Sequence, residues 1–113
     1  MPWLLREGEV LATLEVADSF AGRARGLLGR DGIDGALLIR PAWSVHTIGM
    51  RFPIDVAYCR ATGDGELVVL GCARMRRWRF GRPRIRARCV IEAEAGAFEA
   101  WALRPGDRLE VRE

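Results

Sequence analysis

No lysine occurs in this 113-residue chain; every one of its eighteen basic side chains is an arginine. A GC-rich coding bias would produce that pattern without any function. Selection for the flat, permanently charged fork that guanidinium presents to carboxylates and phosphates is the other reading. Histidine appears once, as His46, which leaves too few nitrogen ligands for most catalytic zinc patterns. Cysteine is scarce: Cys59, Cys72 and Cys89 are odd in number and lack C-x-x-C spacing. That argues against both a secreted disulfide framework and a zinc ribbon. No apolar run approaches the ~20 residues needed to span a bilayer. The stretch Met1–Glu7 lacks the apolar core of a signal peptide. A reduced, cytoplasmic protein is therefore expected. Phosphate-loop, dinucleotide and Gly-x-Ser-x-Gly signatures are missing too, so the scattered glycines read as turn punctuation.

What is present suits one folded domain over residues 1–113. Half of the residues are hydrophobic and the formal charge is only +3, so a core can form without disulfides or metal. Short apolar runs broken by glycine, proline and aspartate predict strands rather than a helix bundle. Trp3–Arg6 and Glu9–Ala17 read as a hairpin around Glu7-Gly8. The period then changes: Phe20, Ala24, Leu27 and Leu28 fall on one helical face behind Asp18 as N-cap, with Gly29 as a stop. Strands resume at Ala36–Arg40, Ser44–Ile48, Phe52–Arg60 and Arg86–Glu94. A short helix is expected near Ala95–Trp101, and a last strand at Arg108–Arg112. The expected fold is all-β, a mainly antiparallel sandwich or partly open barrel with two short helices.

Asp64-Gly65 is the strongest hairpin signal. A two-residue turn there pairs Asp55–Ala61 with Glu66–Ala73. It groups Ile54, Val56, Tyr58, Leu67 and Val69 on one face, and Asp55, Ala57, Cys59, Val68, Leu70 and Cys72 on the other. Both faces are largely apolar, so this hairpin should be covered on both sides.

Gly26-Leu27-Leu28-Gly29-Arg30, Val45 to Met50, Pro53-Ile54-Asp55, Glu92 with Ala95-Gly96, and Pro105-Gly106-Asp107 follow one another in order. In that order and spacing the chain resembles the bacterial and archaeal domain-of-unknown-function family 192, also called uncharacterised protein family 0127. The resemblance runs from about Val10 to Val111. It implies a compact, mainly antiparallel β domain with short helices, and no established activity. Many members have an aromatic-Met-Lys-Asn-Thr stretch where this chain reads His46-Thr47-Ile48-Gly49-Met50, as in a subgroup with His-Thr.

Trp43, His46, Arg51 and Asp55 make a candidate ligand-binding group. His46 is the only side chain that normally titrates near neutrality; it either lines a pocket or has both ring nitrogens satisfied by backbone. Asp55 sits in an apolar segment, where a bare carboxylate would cost several kcal/mol. It is held by an arginine or by backbone amides, or else it is a pocket acid available for proton transfer. Asp55 and Cys59, four strand positions apart, stand about 13 Å from each other and cannot share an ion. The three cysteines lie in apolar stretches, where thiols are usually small buried hydrophobes. No metal, cofactor or catalytic residue is assigned.

Charge is the most uneven property. Between Arg74 and Arg88 there are eight arginines and no acid, a segment of +8, while the remainder of the chain sums to −5. Arg76, Arg77, Trp78, Arg79 and Arg82 are the candidate anion-binding residues, with Phe80 interleaved and Gly81-Arg82-Pro83 as a tip. Either this arm binds an anionic partner, or its arginines pair with carboxylates elsewhere in the chain. The expected role is a non-enzymatic binding or accessory module, with a pocket near His46 and Asp55 and a basic loop. Its ligand, a small molecule or a protein, is unassigned, as is its oligomeric state. One alternative is an enzyme using His46 and Asp55 as acid and base on a small polar ligand. Another is a nucleic-acid or anionic-surface binder acting through Arg74–Arg88. A third is an interaction protein with Trp43, Trp78 and Trp101 gathered on its surface.

Overall fold

The computed structural model describes residues 1–113. Its strands are β1 (Trp3–Arg6), β2 (Glu9–Ala17), β3 (Ala36–Ile39), β4 (Ile54–Ala61), β5 (Glu66–Met75), β6 (Cys89–Glu94) and β7 (Arg108–Arg112). Two short helices, α1 (Phe20–Arg25) and α2 (Ala97–Ala100), interrupt them. The strands close into a barrel in the order β1-β2-β3-β6-β4-β5-β7. Neither a sandwich nor a partly open barrel describes it. β7 pairs with both β1 and β5, so no edge is left open. All pairings are antiparallel except β2–β3, which the α1 crossover makes parallel. Closure is a long-range property that alternation within single strands does not encode.

Side chains from all seven strands fill the interior, among them Leu4, Leu14, Leu38, Ala57, Val69, Ile91 and Leu109. Phe98 and Leu103, from the β6–β7 connection, join that cluster. A second apolar layer lies on the outer face of β3, β6 and β4, where Leu37, Val90, Ile54, Val56 and Tyr58 meet Leu27, Ile33, Val45, Met50 and Phe52. Topology explains the second layer. Because β6 lies between β3 and β4, the 40–53 connection must pass over β6; the 76–88 connection likewise passes over β4.

β6 begins at Cys89 rather than at the expected Arg86, and three further local details depart from expectation. α1 is shorter than predicted: the Ser19 hydroxyl, not Asp18, caps it by accepting from the Gly22 N–H, and it stops at Gly26 with φ +49°. Ser44–Ile48 forms no strand; its only ladder contact is a bridge between His46 and Phe80. The β4–β5 turn is also longer than two residues, running through Thr62–Gly65 with Thr62 N–H bonded to the Glu66 carbonyl. Ile54–Tyr58 keep the expected partners, but a bulge beyond Tyr58 shifts the register by one residue. A one-residue slip moves side chains to the opposite face. Leu67 and Val69 therefore join Ala57 and Cys59 in the interior instead of sharing a face with Tyr58.

Candidate functional site

The four candidate ligand-binding residues do not converge. Asp55 alternates with Ile54 and Val56, so it faces the barrel interior with Ala57 and Ala93. Only 3% exposed, it is fully engaged: Oδ1 accepts from Arg74 Nε at 3.0 Å. Its Oδ2 accepts from the Gly96 and Phe98 N–H groups at 2.9 and 3.1 Å. The N-cap of α2 is Gly96, which has no side chain to offer; Asp55 supplies that acceptor from β4 instead. Arg51 pairs with Asp31 on the surface at 3.0 Å. His46 and Trp43 alone share a site, a cavity on the outside of the barrel.

That cavity measures about 360 Å³ and lies between α1 with its following turn and the 40–53 connection. Leu27, Leu28, Ile39, Val45 and Met50 make its apolar wall, and Trp43, His46 and Arg23 contribute polar or aromatic groups. The His46 ring is exposed, and its Nδ1 accepts from the Ile48 N–H at 3.3 Å. Arg23 is turned to backbone, donating to the carbonyls of Ser19 and Pro41 at 3.3 Å each.

Glu92 also lines this cavity, and sequence reasoning did not mark it as a site residue. It sits opposite Leu37 of β3 and Val56 of β4 and points outward, beneath the connections. The side chain is 4% exposed, and burial alone pushes its carboxyl up to about 7. No guanidinium or ammonium offsets that effect. The usable signal was an acid directly after Val90-Ile91, inside a strand otherwise apolar up to Ala93.

The 43–47 segment forms the wall between this cavity and the arginine-rich connection. Backbone bonds from Thr47 N–H to Arg79 O (2.8 Å), Trp78 N–H to Thr47 O (3.0 Å), Gly81 N–H to Val45 O (2.8 Å) and Arg84 N–H to Trp43 O (2.8 Å) zip the two crossing loops together. The Thr47 hydroxyl, wholly buried, donates to Arg76 O at 2.6 Å and accepts from the Arg79 N–H at 2.9 Å. Gly81 is required for this approach, since a Cβ there would stand 2.9 Å from the Tyr58 hydroxyl and 3.0 Å from the Val45 carbonyl.

Among the arginines of this connection, pairing with carboxylates holds for Arg74, which meets Asp55 at 3.0 Å and Glu99 at 3.9 Å. The other seven, from Arg76 to Arg88, lie within ion-pair distance of no acid. All seven are exposed. Arg84 lies over the Tyr58 ring at 5.3 Å, while Arg79 and Arg88 bond only to nearby carbonyls. Arg76, Arg77, Trp78 and Arg79 line a shallow hollow of about 420 Å³ with Pro53. Trp78 is 59% and Phe80 81% exposed, and the Phe80 ring lies 6.0 Å from that of His46. Trp101, by contrast, packs on Phe98 at 5.5 Å beside α2, so the tryptophans form no single patch. No group of three or more histidine, cysteine or acidic side chains is placed to hold a metal ion. No helix is long and apolar enough to cross a membrane.

Two solved structures share the fold. One is a Sinorhizobium meliloti protein described as a "putative transcription regulator", with TM-score 0.75 and 20% identity over 97% of this chain and 91% of that one. The other is a Novosphingobium aromaticivorans protein of unknown function, with TM-score 0.69 and 17% identity over 96% and 82%. In sequence, the UPF0127 protein PF1050 of Pyrococcus furiosus is 30% identical over 107 residues, covering 90% of this chain and 89% of that protein. UPF0127 protein PH1112 of Pyrococcus horikoshii is 32% identical over 108 residues, covering 91% and 87%. The family model DUF192, described as "Uncharacterized ACR", matches residues 4–111. With nearly the whole length matched and relatives at this identity, the chain belongs to the DUF192 family, whose curated members bear the name UPF0127.

Proposed function

We propose that this domain is a non-enzymatic binding module that takes a single-stranded nucleic acid on its 76–88 connection. The observation that carries the reading is the seven exposed arginines without a carboxylate partner, on a connection containing no acid. Unpaired surface arginines can neutralise the phosphates of a polyanion, and release of the cations condensed on that polyanion drives binding. Two features favour single strands over a duplex groove. The connection is irregular, so it offers no helix or ribbon for a groove. Its exposed Trp78 and Phe80, beside the His46 ring, provide faces on which unstacked bases can lie.

The zipped loops add preorganisation. Thr47 and Val45 fix the backbone of Arg79 and Gly81, so less ordering is required on binding. Fluorescence anisotropy with a labelled twelve-nucleotide oligouridylate and its duplex counterpart tests the reading. The single strand is expected to bind more tightly, and Arg76→Glu/Arg77→Glu/Arg79→Glu to weaken it at least tenfold with the fold intact by circular dichroism. Equal binding by the variant contradicts the assignment. Retention on heparin without binding to either oligonucleotide would reduce the loop to a generic cation surface.

A further inference from the structure

The geometry points to the outer cavity under Trp43 and His46 as a site for a compact organic amine, whose ammonium group meets Glu92 and whose hydrocarbon part lies along Leu27, Leu28, Ile39 and Met50. This goes beyond the nucleic-acid reading and rests on different residues. The cavity volume, about 360 Å³, falls in the range of small-ligand sites. Its wall is apolar, and one ionisable side chain lies deep within it. Glu92 is 4% exposed and lines the cavity, yet no side chain or backbone group of the protein donates to it, and burial in apolar surroundings alone raises its carboxyl. Every fully enclosed side-chain polar atom in the protein has a hydrogen-bond partner; the carboxylate oxygens are therefore open to the cavity.

An unpartnered carboxylate in this position calls for a donor from outside the chain, and ionisation calls for a positive one. Asp55, the other buried acid with an assigned geometry, shows what satisfaction looks like in this fold: a guanidinium and two amide donors. Glu92 has none of these. The competing cation, Arg23, is committed to the Ser19 and Pro41 carbonyls, so it does not fill the role. At the mouth, the half-exposed Trp43 indole and the His46 ring present aromatic faces suited to a cation entering from solvent. An anionic ligand would meet like charge at the floor, and a purely apolar one would leave the carboxylate bare.

Three probes of matched shape test this: 2-phenylethylamine, 2-phenylethanol and phenylacetate, titrated into ¹⁵N-labelled protein and followed by amide shifts. The amine is expected to move resonances of Leu27, Val45, His46 and Glu92 saturably, and at least tenfold more tightly than the alcohol or the acid. Glu92→Gln should reduce amine affinity at least tenfold while preserving the rest of the spectrum. Ala24→Phe, at an exposed helix position on the rim, should block the amine without touching Glu92. Equal affinity for amine and alcohol, or unchanged amine binding by Glu92→Gln, would overturn the assignment. Absence of saturable shifts with any probe would overturn the site itself.

Discussion

Two buried carboxylates on neighbouring strands have opposite fates, set by which side of the barrel wall they face. Asp55 points inward and holds three donors from β5 and the start of α2. Asp55→Ala removes the carboxylate and leaves the Gly96 and Phe98 amides without an acceptor, at about 1–3 kcal/mol for each orphaned donor. Chemical denaturation is expected to show a loss on the order of 3 kcal/mol, with Asp55→Asn falling between variant and parent; an unchanged midpoint would deny the capping role. Glu92 points outward and has no donor. Its folded carboxyl sits near 7, above the ~4.3 of an unfolded chain, so the folded state holds the proton longer. That group therefore costs nothing below about pH 4 and progressively destabilises the fold as pH rises to about 7, by roughly 3 kcal/mol at the top. Glu92→Gln should match the parent near pH 4 and exceed it at pH 8 by that order; parallel pH–stability curves would contradict it. The sequence showed Asp55 to be an acid that must be satisfied, because its neighbours are apolar. It did not separate Asp55 from His46, since two side chains nine residues apart can lie on opposite sides of a wall whose curvature is set elsewhere.

Elements carry the same lesson at larger distance. β1, β2, β3 and β7 begin and end within a residue of where alternation and turn residues place them. The register of Ile54–Tyr58 is that of the simple hairpin, and the bulge beyond it is what moved Leu67 and Val69 inward. Ser44–Ile48 reads as a strand by composition, yet its backbone bonds go to the 78–84 stretch of another crossing loop. Nothing local in either segment announces that partner. Thr47 is the fastening between them, with both its donor and acceptor used. Thr47→Val keeps the volume, removes both bonds, and should cost about 1–3 kcal/mol. Hydrogen exchange would locate the damage: faster exchange at Trp78, Arg79 and Gly81 with β4 and β6 unchanged is expected. Uniform acceleration across the barrel would mean that the loops are not a separate unit.

For the whole molecule, the closed barrel explains why both long connections lie on one side. β6 inserted between β3 and β4 forces the 40–53 and 76–88 chains over the same outer wall. That places the cavity and the unpaired arginines next to one another, although the residues involved are spread from Arg23 to Glu92. The charge segregation was legible in the sequence; its isolation from the carboxylates was not, because the −5 of the remaining chain allowed either outcome. Acids such as Glu15, Glu66, Asp107 and Glu110 instead pair with Arg30, Arg108, Arg6 and Arg112 on the barrel. The connection thus keeps its positive field. The most direct test of that claim is the salt dependence of oligouridylate binding. Each phosphate contact on a single strand contributes about 0.7 to the slope of log affinity against log salt. Arg76→Glu/Arg77→Glu/Arg79→Glu should therefore flatten the parent's slope by about 2. A slope that is already flat in the parent, or equally steep in the variant, would contradict the account.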